Sequence, residues 1–264
     1  AQDGYPPDPA TWRSFASIEA MTVSGAVIST FTSPGALKMY RERYPKFARR
    51  FRLLENGYDE ETFACLPHVT PALNPGRVTL LHSGEVYPEE RDPTSLFSAL
   101  AELRSKHPEE SSRLIIRFRA PHHVEFLAEL AKAHKVDSQI EILPSIDHAE
   151  AVEEMLRADG LLLLQARSCN AQIPAKFYEY IRSGRPILVL ADPLGDTASA
   201  AQSAGISAIA ALNDATKISE LLLRFSQGQS AGMLADSESV PHASRRARSA
   251  ELAALLDSVI ASRD

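Results

Sequence analysis

From Val78 onward the chain is built of short, unbroken apolar runs separated by longer amphipathic segments, and this alternation limits its folds more than any other feature. The runs are VTLLHS (78–83), RLIIRF (113–118), QIEIL (139–143), GLLLLQ (160–165), PILVL (186–190) and ISAIA (206–210). A strand that is apolar at nearly every position has to be covered on both faces. The intervening segments read as helices: one starting near Asp92-Pro93, then His122 to His134, His148 to Leu156, Pro174 to Ser183, Asp196 to Ser203 and Asp214 to Phe225. Strands that alternate strictly with helices imply a parallel sheet with right-handed crossovers. Ligands of such sheets bind beyond the carboxyl ends of the strands.

The segment IPAKFYEYIRSGRPILVL (173–190) shows the pattern in miniature. Pro174 suits the first turn of a helix, Phe177, Tyr178 and Ile181 form its apolar face, and Gly184 follows its last residue. Lys176 and Glu179, three apart, project from neighbouring positions. At the mouth of a sheet they are suited to a phosphorylated ligand; elsewhere such a pair is a weak surface ion pair.

The first 74 residues are organised differently. Residues 9–23 read as a helix with Trp12, Phe15, Ile18 and Met21 at spacings of three. AVIS (26–29) reads as a short buried strand, Ser33 as the cap of a helix with Leu37, Met39 and Tyr40 on its apolar side, and Phe51 to Leu54 as a second strand ending in the turn dipeptide Asn56-Gly57. The proline-spaced stretch Pro67 to Gly76 reads as a domain boundary. At the other end, 227–240 reads as a linker and 243–262 as an Ala/Leu-rich amphipathic helix. The expected division is thus 1–74, 75–228 and 229–264.

Of the 264 residues, 28 are Lys or Arg and 34 Asp or Glu, a net charge of -6 that gives no sign of a nucleic-acid partner. The basic stretch Arg41 to Arg50 reads as a solvated helix end. Two cysteines, Cys65 and Cys169, imply no disulfide framework. No apolar run approaches the ~20 residues that span a bilayer, and the start has neither the basic n-region nor the apolar core of a signal peptide.

The ends of the strands hold the candidate chemistry. The first is followed by Ser83, Gly84, Glu85, Tyr87 and Arg91; a glycine there permits close approach of a phosphate or simply a tight turn. Arg91 offers a fork of donors. Arg119 ends the second strand, and His122-His123 follow without the partners a metal site would need. LPSIDH (143–148), with Pro144 and Ile146, makes an edge for a flat ring. Cys169 after the fourth strand is a conceivable nucleophile with His148 as base. No Gly-x-Gly-x-x-Gly, P-loop or Gly-x-Ser-x-Gly motif is present.

Together these motifs resemble the retaining family 4 glycosyltransferases of the GT-B fold. RLLENGYDEETF (52–63) is similar to that family's interdomain Asn-Gly-x-Asp-x-x-x-Phe signature, and IPAKFYEYIRSGRPIL (173–188) to the Ile-Pro-x-Lys-x-x-Glu-Tyr pattern of one subgroup. AVISTFTSPGALKMYRERYP (26–45) resembles the end of the acceptor domain, and HSGEVYPEERDPTSLFSAL (82–100) the first donor-domain loop. The resemblance implies an α/β fold of two Rossmann-like parts: a donor domain and the C-terminal part of an acceptor domain much of which this sequence lacks, with the last helix packing back on the N-terminal part. It implies transfer of a sugar, with retention, from a UDP- or GDP-sugar to a glycan, lipid or small-molecule acceptor, without metal or cofactor. Arg91 and Lys176 would be catalytic. Ser83, Gly84, Arg119, Pro144, Ile146, Ile173, Pro174, Ala175 and Glu179 would hold the nucleotide, with Glu179 on the ribose. The family's first Glu, eight residues before the second, is replaced by Ala171, which leaves the sugar open. The resemblance also implies a cytoplasmic location, with membrane contact through the missing region. The same pieces fit a non-catalytic nucleotide-binding module or a nucleotide-sugar epimerase.

Overall fold

The computed structural model describes residues 8–65, 71–88 and 90–261. In chain order the elements are α1 (Pro9–Gly25), β1 (Ser29–Phe31), α2 (Pro34–Arg43), β2 (Phe51–Leu53), α3 (Glu60–Ala64), β3 (Val78–Ser83), α4 (Thr94–Lys106), α5 (Pro108–Arg113), β4 (Leu114–Arg119), α6 (Val124–His134), β5 (Ile140–Leu143), α7 (His148–Arg157), β6 (Gly160–Gln165), α8 (Lys176–Ser183), β7 (Ile187–Ala191), α9 (Asp196–Ser203), β8 (Ile209–Ala210), α10 (Ala215–Ser226) and α11 (Arg245–Ala261).

Six strands form one parallel sheet in the order β5-β4-β3-β6-β7-β8. With β3 as the first strand, that is the doubly wound order 3-2-1-4-5-6, which reverses between β3 and β6. The apolar runs are continuous because their residues serve two cores by turns. Leu80, Leu162, Leu164, Leu188 and Leu190 face one core with α4, α6 and α10. Leu81, Leu161, Leu163, Ile187 and Val189 face the other, with α7, α8 and α9. This is the period-two alternation of a strand sandwiched between helix layers.

The smaller part pairs β1 with β2 in parallel over Val23, Leu37 and Phe51. Glu19 organises it by accepting from the Tyr40 and Tyr44 hydroxyls at 2.7 Å and from Arg43 at 2.9 Å. The part is joined to the sheet layer by Ser33 Oγ donating to the Ala171 carbonyl (2.6 Å) and by the Gly35 N–H donating to Asp196 (2.6 Å). Segment 55–59 meets the C-terminal region through the Tyr58–Ala243 backbone bond (3.1 Å) and the Arg248–Glu55 ion pair (2.9 Å).

Several boundaries differ from expectation. The first strand starts three residues later than expected, at Ser29, and runs to Phe31, because the preceding helix runs to Gly25 and is closed by Ala26 bonding back to Thr22. Trp12, Phe15, Ile18 and Met21 are exposed, as is Met39. The ISAIA strand shortens to Ile209–Ala210, since Ile206 to Ala208 bond to Ala201 and to the 232 carbonyl. The helix α5 has no counterpart in the sequence pattern: it is one and a half turns of PEESSR with no apolar period. Residues 67–70 of the proline-spaced boundary lie outside the described residues. Among the described residues no helix is long and apolar enough to cross a membrane.

Gly160 starts β6 where a Cβ would stand 2.5 Å from the Phe225 ring and 3.1 Å from the Pro186 carbonyl oxygen. Gly160→Ala is expected to cost about 1–3 kcal/mol by overpacking. Urea denaturation checks this: a lowered midpoint with unchanged slope is the expected outcome.

Candidate functional site at the reversal of strand order

The crevice of interest opens where β3 and β6 end. Gly84 follows β3 with φ +106, a backbone conformation L side chains rarely adopt. A Cβ on it would lie 2.9 Å from Lys176 Nζ. The glycine therefore serves both the turn and the approach of the lysine. The loop beyond it is held down by three backbone bonds: Gly84 N–H to Arg119 O (2.8 Å), Val86 N–H to Pro121 O (3.0 Å) and Ala166 N–H to Glu90 O (2.8 Å). Gly84's own N–H is thus spent on continuing the β3–β4 ladder, so what the glycine offers a ligand is space.

The helix α8 begins at Lys176, with Ala175 as its cap; Pro174 stands in the turn before it rather than at its first position. Its left-handed closure at Gly184 is as expected from sequence. Lys176 reaches back over the end of β3, its ammonium donating to the Ser83 carbonyl and lying 3.5 Å from His82 Nε2. His82 is fully buried, and its Nδ1 sits 2.9 Å from the Leu162 carbonyl oxygen. A carbonyl only accepts, so Nδ1 carries the proton and Nε2 is an acceptor toward the lysine. Burial, reinforced by the charge of Lys176, holds the imidazole neutral by pushing its pKa well down. Tyr180 completes the joint: its buried hydroxyl accepts from the Ser83 N–H at 3.1 Å.

Burial and then the neighbouring Arg91 charge depress the Lys176 pKa to about 7, against partial relief from Glu179 and Glu85. Arg91 donates to the Glu85 carbonyl (2.9 Å) and lies over the Tyr87 ring, its guanidinium carbon 5.4 Å from the centroid. Its Nε is buried with no hydrogen-bond partner. Glu179, one turn beyond Lys176, is raised in pKa by burial and faces His148 at 3.6 Å. Two cations and a carboxylate thus share one crevice with a glycine turn.

The remaining predicted site residues divide. Arg119 is tied to Glu154 by bonds of 2.8 and 2.6 Å and to the Pro144 carbonyl at 2.8 Å. Its guanidinium therefore anchors the Pro144–Ile146 edge instead of standing free for a ligand. Glu154 also receives Arg117 at 2.9 Å, which with Arg119 keeps the carboxylate ionised against the cost of burial. Pro144 is exposed and Ile146 partly buried, next to Asp147, which caps α7. Ile173 is buried on the opposite side of α8, among Phe177, Tyr178 and Ile181. Its side chain does not join the crevice, and Ala175 is exposed at the turn.

The nucleophile reading does not survive. Cys169 is buried, with its thiol pKa pushed up, first by burial. His148 faces Glu179 instead. His122 lies 3.0 Å from Glu85, and among the described residues no group of three His, Cys, Asp or Glu converges on a metal position. Sequence reasoning missed His82, Tyr180 and Glu154. A signal for His82 exists: it is a lone ionisable residue inside an otherwise buried strand.

No protein-family model and no curated protein sequence matches the chain. Solved structures do. An α,α-trehalose 6-phosphate synthase from Burkholderia multivorans superposes with TM-score 0.67 at 12% identity, over 97% of this chain and 64% of that one. WaaG, a glycosyltransferase involved in lipopolysaccharide biosynthesis, gives 0.64 at 16% identity, over 90% and 67%. A sucrose-phosphate synthase from Thermosynechococcus elongatus gives 0.60 at 11%, over 97% and 65%. The chain therefore spans about two thirds of the length of these structures. At such identities the likeness is one of fold, and the fold is of the GT-B glycosyltransferase type, with a Rossmann-like parallel sheet.

Two outcomes follow from these electrostatics. The folded chain holds fewer protons at Lys176 than the unfolded chain between about pH 7 and the ordinary lysine value of 10.5. This group's contribution to stability therefore rises with pH across that window, and its penalty is complete below it. Lys176→Met is expected to melt higher than the parent at pH 6 and to lose that advantage toward pH 10, read by thermal unfolding across pH. Glu154→Gln leaves Arg117 and Arg119 without their shared carboxylate and is expected to cost about 3–5 kcal/mol in urea denaturation.

Proposed function

We propose that the crevice binds a nucleoside-diphosphate sugar and that this chain carries the donor-binding part of a glycosyltransferase. The observation that carries the reading is the meeting of Lys176, Arg91 and Glu179 around Gly84, at the reversal of strand order. A diphosphate needs cationic donors and room for close approach, and the crevice supplies both. Lys176 and Arg91 are assigned to the diphosphate, whose developing negative charge they would stabilise as the leaving group departs. The first turn of α8, from Pro174 and Ala175 into Lys176, adds the positive end of the helix. Glu179, on the rim and short of a strong partner, is assigned to ribose hydroxyls, and the Pro144–Ile146 edge to the base. Ser83 shapes the floor through its backbone.

The donor is taken to be a UDP- or GDP-sugar, transferred with retention to a glycan, lipid or small-molecule acceptor. A lysine near neutrality suits such a donor. The arriving diphosphate draws the proton onto it, and binding charges the site only when ligand is present.

Titration calorimetry with UDP and GDP tests the reading. Glu179→Ala is expected to weaken binding by about 10- to 100-fold, the range for hydrogen bonds to a charged group. The parent is expected to bind more weakly as pH rises above 7, and Lys176→Met to bind weakly with a flat pH profile. Equal affinity in Glu179→Ala and parent would refute the assignment. Incubation with nucleotide sugars then separates the activities: hydrolysis or transfer supports a transferase, sugar interconversion an epimerase, and binding without turnover a carrier module.

A further inference from the structure

The helix α8 has a second working face. Residues 176, 179 and 180 turn toward the crevice, and the helical period places 177, 178 and 181 on the other side. That side borders a separate cleft of about 250 Å³. Its walls come from three parts of the chain: Pro34 and Glu55 from the N-terminal part, α8 and α9 from the sheet layer, and 239–248 from the returning C-terminal segment.

One polar group in its wall is unsatisfied. Tyr178 is 3% exposed, and its hydroxyl is buried without a hydrogen-bond partner. Its nearest charges, Glu55, Arg248 and Asp196, also line the cleft. The one arginine among them is already taken. Glu55 pairs with Arg248 at 2.9 Å, Arg248 also with Glu251 at 2.8 Å, and Asp196 accepts from the Gly35 N–H at 2.6 Å. An anionic ligand would meet the carboxylates of Glu55 and Asp196 and an arginine already engaged by Glu55 and Glu251. What the cleft leaves unmet is a hydroxyl, beside an apolar floor of Phe177, Ile181 and Ala204 and a rim bearing Ser199 and Ser203 one turn apart on α9.

We propose that this cleft is a second binding site, distinct from the crevice, for a small neutral polyol: a single sugar-like ring. Its C–H face would lie on the apolar floor, and its hydroxyl edge would meet Tyr178 and the α9 serines. The space is below the ~300–1,000 Å³ of sites for larger ligands, which excludes a nucleotide. A buried polar group that lacks a partner discriminates strongly in favour of a ligand that supplies one.

Saturation-transfer NMR and calorimetry with D-glucose, D-mannose and myo-inositol test the proposal. At least one is expected to bind the parent, and Tyr178→Phe to weaken it by tenfold or more. Ala200→Met, which fills the cleft from α9, is expected to abolish it. UDP affinity should be unchanged in both variants, so that failure here and failure of the crevice reading are told apart. Because the hydroxyl has no partner, Tyr178→Phe should melt at or above the parent temperature. Absence of binding by all three probes, equal binding by parent and Tyr178→Phe, or a lowered melting temperature for Tyr178→Phe would each overturn the proposal.

Discussion

The site depends on a joint between α8 and the end of β3. The Ser83 peptide is held on both sides by that helix: its carbonyl accepts from Lys176 and its N–H donates to Tyr180. Behind it, His82 bonds across to Leu162 on β6. The reversal of strand order opens a crevice in any sheet of this kind, but here the gap is stitched by side chains from both of its banks. An ammonium placed there loses solvent and meets Arg91, which explains why its proton is held so loosely. A site that keeps a cation near neutrality is poised for an anion.

Much of this architecture is legible in the residues. The continuous apolar runs of β3, β6 and β7 carry the parallel sheet, since only burial on both faces makes Leu161 and Leu162 equally apolar. Asp8, Ser33, Asp147 and Asp214 cap helices as their type suggests. What the residues do not reveal has physical causes. Arg119 is expected at the nucleotide because its position at a strand end is visible, whereas Glu154, which holds its guanidinium, lies 35 residues on in sequence. Ile173 is expected near the diphosphate through its backbone, and its side chain packs into the opposite layer. The period of three in α1 predicts the helix, and its residues Trp12, Phe15, Ile18 and Met21 are exposed.

The two parts of the chain are held together differently from the way either is held within. Within the sheet layer the contacts are apolar and interleaved. Across the junction, hydrogen bonds and ion pairs join Ser33 to Ala171, Gly35 to Asp196, Arg248 to Glu55 and Arg182 to Glu60, and Tyr58 and Phe63 enter the core of the sheet layer. Such hydrogen bonds and ion pairs are directional and individually modest. The polar contacts set orientation, and the burial of Tyr58 and Phe63 adds the apolar part of the hold.

One consequence of α8 concerns its tolerance of change. Lys176 is bonded to Ser83, Tyr180 to Ser83, Arg182 to Glu60, and Ser183 Oγ to the Tyr180 carbonyl, Glu179 faces His148, and Phe177, Tyr178 and Ile181 fill the core. A surface helix ordinarily keeps a solvent stripe on which substitutions accumulate at little cost. This one has no such idle stripe: all eight of its positions are occupied. A substitution at any of these positions therefore disturbs a contact of the helix with another part of the fold or with its own turn.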